Sequence, residues 1–395
     1  MKILGIVAEY NPFHNGHKLH IEESKKAISR DCAVVCVMSG DFVQRGEPAA
    51  FSKHARAEAA VRGGADLVFE LPLPWALSSA EGFARGALGL LGGLGCVDYL
   101  SFGSECGDLN ILNALATALL DPALDAAIRE ELETGIPYAA ARQNALTRDI
   151  GQLAEQLEKP NNILAVEYLK AIYNQHLRIE PLTILRTGTG HDEPGSSAQA
   201  IRTLLQAGKT ADHHMPREVA KVFHREEKLG RGPVSMENLE NVIISRFRML
   251  GEGDFNAVPD AAEGLGNRLF AAAAVEPTID GILAAAKSKR YALSRIRRMS
   301  MCAALGLKAG QAQGTPPYAR VLAANEKGRA ALKLMGEKAT IPIITKPAAV
   351  NELSPECKNL FKLESAAHDL YVLAYAAKEE RRGQGDWRTS PQMLD

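Results

Sequence analysis

The sequence predicts an α/β protein: a parallel sheet with a helical insertion over residues 1–205, followed by a mainly helical region over residues 206–395. Three observations carry this. Short apolar runs, each ending in a polar loop and followed by helical periodicity, recur between residues 3 and 105, which is the rhythm of βα units. That rhythm gives way to continuous helical spacing over residues 109–157 and returns as one more apolar run at residues 179–185. Beyond residue 205 it stops.

The first run, residues 3–8, reads as a buried parallel strand, and Asn11-Pro12 ends it because proline has no amide hydrogen and keeps its predecessor extended. His14 and His17 then flank Asn15-Gly16 where a helix opens around Lys18, Leu19 and His20. Free amide groups and the helix dipole make such an end an anion site, and imidazoles donate hydrogen bonds to phosphate oxygens. The glycine lets backbone approach a ligand closely, and a metal-binding H-x-x-H pair has no need of it.

Residues 32–38 form the second strand, which delivers Asp41, Gln44 and Arg45 in a loop at its C-terminal end. Such loops line the ligand crevice of open α/β sheets, so these three are candidates for substrate or pyrophosphate contacts; the bland reading is a self-stabilised polar turn. A helix over 51–64 carries Lys53, His54 and Arg56, compatible with a solvated face and with a cleft-facing one. A third strand at 66–72, an Ala/Gly-rich helix at 78–91 and a fourth strand at 97–105 follow, the last bearing Gly103, where backbone is able to lie flat against a nucleotide. After the helical insertion, broken at Pro137-Tyr138, a helix opens at Lys159-Pro160-Asn161-Asn162, its asparagines placed as caps or as ligand donors. The fifth strand hands Arg186 to a glycine-bearing loop through Asp192, a setting that suits phosphate, and Ser196-Ser197-Ala198 with Arg202 reads as hydroxyls at a helix start followed by an arginine on the same helix.

In the second half, residues 208–229 read as an exposed, polar, basic connector; helices are expected at 236–250, from 261, across 318–334 and finally at 365–377. A short strand is expected at 341–345, and the charged tail from 378 is expected to be loosely ordered. The segment 287–298 holds six cations, Lys287, Lys289, Arg290, Arg295, Arg297 and Arg298, with Tyr291 and no acid. Phosphate neutralisation and base stacking point it at RNA; a solvated helix face is the plain reading.

Composition frames these motifs. The chain has 395 residues, 46% hydrophobic and 24% charged, which is ample for more than one domain of an ordinary soluble kind. A net charge of −1 advertises no polyanionic partner globally, so local patches carry that case. The six cysteines form no C-x-x-C pair, so buried thiols are expected in place of a structural metal or disulfides. With an early strand at the N-terminus and no long charge-free run, the expectation is a cytoplasmic protein without a membrane span.

His14-Asn15-Gly16-His17 after an apolar strand resembles the H-x-G-H signature of the nucleotidyltransferase superfamily, and Ser196–Arg202 is similar to its I-S-S-T-x-I-R segment, with Ala198 in place of a hydroxyl. The longer string Val7-Ala8-Glu9-Tyr10-Asn11-Pro12-Phe13-His14-Asn15-Gly16-His17 resembles the bacterial tRNA(Met) cytidine acetate ligases, as do the 39–48 loop, Phe102-Gly103-Ser104-Glu105, Pro160–Leu164 and the basic segment. That resemblance implies a Rossmann-like nucleotidyltransferase domain and a helical, RNA-binding C-terminal region. It implies ATP bound along Val7 to His20 with Gly103, Asn162 and Arg186, magnesium accompanying the pyrophosphate, and His14 and His17 acting on the α-phosphate. It further implies acetate as the nucleophile and elongator tRNA-Met as the acceptor of the acetyl group, at its wobble cytidine. The alternative is a small-molecule adenylyltransferase of the pantetheine-phosphate or nicotinamide-nucleotide kind, which has little use for a long, basic second half.

Overall fold

The computed structural model describes residues 1–28, 31–136, 138–186 and 197–395. Its central sheet contains, among the described residues, β1 (Ile3–Ala8), β2 (Ala33–Ser39), β5 (Leu67–Leu71), β6 (Tyr99–Ser104), β7 (Glu180–Leu185), β8 (Ala319–Ala324), β9 (Ile343–Ile344) and β10 (Gln392–Met393). A hairpin of β3 (Phe42–Val43) and β4 (Glu47–Pro48) stands apart from it. The sheet order is β10-β8-β5-β2-β1-β6-β7, with β9 on β8. All pairs within β5-β2-β1-β6-β7 are parallel, and β8 joins β5 antiparallel.

The alternation expected of strands buried on both faces organises the packing. Val35 and Val37 pack with Leu90, Leu91 and Leu169 on one face, whereas Leu4, Ile6, Val34 and Cys36 pack with Ile21, Ala57 and Ala60 on the other. Chain order reverses between β1 and β6, since β2 follows β1 on one side and β6 lies on the other. In such sheets that reversal opens the ligand crevice beyond the strands' carboxyl ends. The helix Asn15–Ile28 starts directly at this point.

The helical insertion is formed by Leu109–Leu120, Pro122–Glu133 and Tyr138–Ile150, with a small core of its own around Ile128 and Leu146. Pro137 of the expected break lies outside the described residues. A second large core, including Leu239, Ile243, Leu269, Ile282 and Ile296, fills the helical region between Met236 and Leu305. Among the described residues no single helix is long and apolar enough to cross a membrane. The six cysteines are unpaired thiols, four of them buried.

Several expectations for the second half are corrected. The sheet crosses the expected division at residue 205, because β8, β9 and β10 come from beyond it. Residues 319–324 are a fully buried strand at the start of what reads as helix; Ala and Leu favour helix locally, and the open side of β5 overrides that preference. The supposed connector contains the helix Arg217–Lys228, whose Val219, Val222 and Phe223 pack on the helix Lys53–Arg62, with Phe223 stacked on Phe51 at 4.4 Å. The final long helix is Pro355–Tyr371, earlier in the chain than expected. The tail is anchored: Asp386 is fully buried and β10 pairs with β8.

Candidate active site

The crevice begins with how the two histidines are held. The His14 carbonyl accepts the amides of His17 and Lys18, at 3.0 and 3.2 Å, and so opens the helix. The Gly16 amide donates to His14 Nδ1 at 3.0 Å, and the His14 amide donates to His17 Nδ1 at 3.2 Å. An Nδ1 that accepts a hydrogen bond carries no proton, so in both neutral rings the proton sits on Nε2. The rings lie 3.8 Å apart between centroids, and His17 also packs on Tyr10 and Phe13. Gly16 is required by this packing: a Cβ there would lie 2.8 Å from His14 Cε1.

Burial, followed by the neighbouring His14 and Arg186, holds His17 well below the ordinary imidazole value. Burial and Arg186 push His20 down to about 4. Both rings are therefore neutral at physiological pH. His20 Nε2 shares a hydrogen bond with Ser101 Oγ at 3.0 Å, which ties the helix to β6.

A cavity of about 310 Å³ lies over the carboxyl ends of β1 and β6. Its walls include Val7, Ala8, Glu9, Tyr10 and Asn11, with His17, His20, Gln44, Arg45, Gly103, Asn161, Arg186 and Arg202. A second cavity of about 710 Å³ adjoins it through His17, His20, Gly103 and Arg186, and adds His14, Gly16 and Leu19. The sequence-predicted residues thus converge, although they span nearly 200 positions. Arg202 lines the cavity and fixes its floor by donating to the Asn11 carbonyl at 2.8 Å. Ser197 caps the helix Ala198–Gln206 by accepting the Ala200 amide, while Ser196 and the glycine-bearing stretch 187–192 lie outside the described residues.

Other candidates sit elsewhere. Phe13 is fully buried among apolar residues, and Lys18 faces Glu22 at 3.8 Å on the exposed side of its helix. Asn15 donates to the His213 carbonyl at 3.1 Å. Pro12 follows a cis peptide bond. Asn162 is wholly buried, and its Oδ1 accepts the amides of Glu105 and Cys106 at 2.9 and 3.2 Å, so it shapes the loop after β6 while Asn161 faces the cavity. Gly103 does line both cavities, and the stem of Arg186 lies over it, with Cγ 2.9 Å from where a Cβ would stand.

Asp41 is also corrected. It is buried, accepts the Lys53 amide at 2.8 Å and pairs with His368 at 2.8 Å, so both oxygens are committed to structure. Burial opposes its ionisation, yet His368 and Lys53 together hold its carboxyl below the ordinary range. In the basic segment the structure engages several side chains within the fold. Tyr291 is buried and donates to the Glu263 carbonyl, which removes it from base stacking. Arg295 binds the Asp260 carbonyl and Glu263, Arg297 pairs with Glu47 at 3.1 Å, and Arg298 pairs with Asp260 at 3.3 Å. Lys289 and Arg290 remain exposed.

Two supports come from the helix Lys53–Arg62, whose cations the sequence leaves open between a solvated and a cleft-facing role. Arg56, fully buried, donates to the carbonyls of Glu9, Ser39, Gly40 and Phe51, gathering the ends of β1 and β2 beneath the cavity. Lys53 and Arg320 neutralise Glu70 and Asp386 in a buried cluster, with Lys53–Asp386 at 2.6 Å and Arg320–Asp386 at 2.8 Å. Apart from their being charges in apolar surroundings, nothing local in the sequence marks these partners, which lie up to 333 positions apart.

Comparison with known proteins agrees with this geometry. The family model described as HIGH Nucleotidyl Transferase matches residues 1–386. A tRNA(Met) cytidine acetate ligase of Acetivibrio thermocellus is 37% identical over 95% of both chains. One of Alkaliphilus metalliredigens is 38% identical over 99% of this chain and 98% of its own. The crystal structure of Thermotoga maritima TmcAL bound with alpha-thio ATP superposes with a TM-score of 0.93 at 34% identity, covering all of both chains. A strand-end H-x-G-H turn, a crevice at the β1/β6 reversal and this full-length likeness together make the chain a member of the tRNA(Met) cytidine acetate ligase family of HIGH nucleotidyl transferases.

Proposed function

We propose that the protein activates acetate with ATP and transfers the acetyl group to the exocyclic amine of the wobble cytidine in elongator tRNA-Met. The observation that carries the reading is the paired imidazoles at the start of a helix, each with Nδ1 tied to a backbone amide and its proton on Nε2, at the sheet's crevice. The reading is supported by relatives that bear the name tRNA(Met) cytidine acetate ligase and by the neighbour that binds alpha-thio ATP.

We assign ATP to the cavity over the carboxyl ends of β1 and β6, whose lining Arg186 and Arg202 suit its phosphates. An acetate oxygen attacks the α-phosphorus; the new P–O bond forms as the bond to pyrophosphate breaks, giving acetyl-adenylate. Charge that grows on the equatorial oxygens is met by the Nε2–H groups of His14 and His17 and by the helix N-terminus. Neutral donors suit this task, because they are already oriented and release no proton during the step. Magnesium accompanying the nucleotide would neutralise the departing pyrophosphate. The cytidine amine then attacks the acetyl carbon, AMP leaves, and the amine proton passes to solvent. Lys289 and Arg290 are the cations of the basic segment offered to tRNA phosphates. Acting on tRNA places the protein in the cytoplasm.

ATP–pyrophosphate exchange tests the reading against a small-molecule adenylyltransferase. Exchange is expected with acetate in the absence of tRNA. Exchange with nicotinamide mononucleotide or phosphopantetheine and none with acetate would overturn it.

A further inference from the structure

The β3–β4 hairpin has two faces. Its turn carries Gln44 and Arg45, which line the cavity, and the Gln44 amide donates to Glu9 Oε1 at 2.9 Å. The opposite side rests on the helix Leu293–Leu305. Gly46 has a φ of +75°, and a Cβ there would lie 2.5 Å from the Arg297 carbonyl carbon and 2.6 Å from the Arg298 nitrogen, so the turn sits directly on that helix's backbone. One residue on, Glu47 pairs with Arg297 at 3.1 Å. At the hairpin's start, Phe42 is fully buried in the core of the helical region.

The seat is formed by groups distant in sequence, and it is specific. Arg297 comes from the basic segment, yet its guanidinium reaches back 250 positions to an acid beside the cavity-lining turn. A solvated RNA-binding face has no use for that arrangement. A device that fixes where Gln44 and Arg45 stand requires it.

We propose that Arg297 is a positioning residue for adenylate formation: through Glu47 and the close seat of Gly46 it sets the Gln44–Arg45 turn against the nucleotide cavity. The basic segment thereby serves the ATP half-reaction through the hairpin turn, and the helical region is coupled to the catalytic crevice. The inference rests on the acetate-activation reading given above.

The test is acetate-dependent ATP–pyrophosphate exchange without tRNA, alongside tRNA binding by the same full-length variants. Loss of one part-exposed ion pair, with a small displacement of the turn, is expected to lower kcat/KM in Arg297→Ala about fivefold to tenfold. Arg297→Lys should retain most of the rate. The charge-swapped pair Glu47→Arg with Arg297→Glu should exceed either single variant, which keeps the test informative if the alanine variant folds poorly. Parental exchange in Arg297→Ala, with weakened tRNA binding alone, would overturn the proposal and return the residue to RNA contact. A parent chain without acetate exchange would instead sink the acetate-activation reading, so the two failures are distinguishable.

Discussion

Replacing Gly16 by alanine should damage catalysis while sparing the fold. The added methyl would lie 2.8 Å from His14 Cε1 and 3.1 Å from Nδ1. Comfortable contact between carbon atoms is about 3.5–4.0 Å, so the imidazole has to yield by roughly 0.7–1.2 Å. That movement breaks its hydrogen bond from the Gly16 amide and frees the ring to change tautomer. A misplacement of about 1 Å in a catalytic group costs on the order of 10²-fold in rate, the range lost with one transition-state donor. Stability should move the other way or hardly at all. Gly16 is exposed in the first turn of the helix Asn15–Ile28, and glycine within a helix is destabilising by about 0.5–1 kcal/mol relative to alanine. The assays are acetate-dependent exchange and thermal unfolding on the same preparation. Exchange within threefold of the parent, at an unchanged melting point, would refute the claim that His14 is held in place for phosphate chemistry.

Three further predictions follow from the same geometry. Asp386→Ala leaves Lys53 and Arg320 short of a carboxylate at a fully buried site, a loss that typically costs about 3–5 kcal/mol, so urea unfolding should shift to markedly lower concentration. His20, pushed down to about 4 when folded, binds its proton more readily in the unfolded chain, as does His17; stability should therefore fall as pH drops from about 6.5 towards 4, His20 contributing at most about 1.4 kcal/mol per pH unit, and His20→Asn should reduce the slope by its share in denaturant titrations. Removing Lys289 and Arg290 together should weaken tRNA binding and reduce the slope of log K against log salt by about 0.7–0.9 per cation, leaving tRNA-free exchange intact.

What was legible from sequence follows from the range of the interactions involved. The first four strands of the main sheet are readable because burial writes a largely apolar run, the part-buried edge strand β7 because a short apolar run survives in it, and the histidine turn because its parts are neighbours in the chain. The strand at Ala319–Ala324 was hidden by helix-favouring residues whose fate is decided by the free edge of β5. The helix Arg217–Lys228 reads as a connector because its charges outnumber the apolar stripe that packs on the helix Lys53–Arg62. Most instructive is the basic segment: its cations are visible in the sequence, whereas Glu47, Asp260 and Glu263, which occupy three of them, are brought in only by the fold. Asp41 and Asn162 illustrate the same limit. Asp41 is expected in the loop after β2 and Asn162 at the start of a helix, and the fold has them there, but polar side chains at such places also close off backbone amides, and both do so.

The central claim joins an adenylate-forming site to an RNA acceptor. It is tested most directly by incubating the protein with ATP, isotopically labelled acetate and elongator tRNA-Met, then digesting the tRNA and weighing its nucleosides by mass spectrometry. The account predicts labelled N4-acetylcytidine at the wobble position, absent without ATP and reduced about 10²-fold in rate in Gly16→Ala. Unlabelled cytidine in tRNA, under conditions where the same preparation exchanges pyrophosphate with ATP, would contradict it.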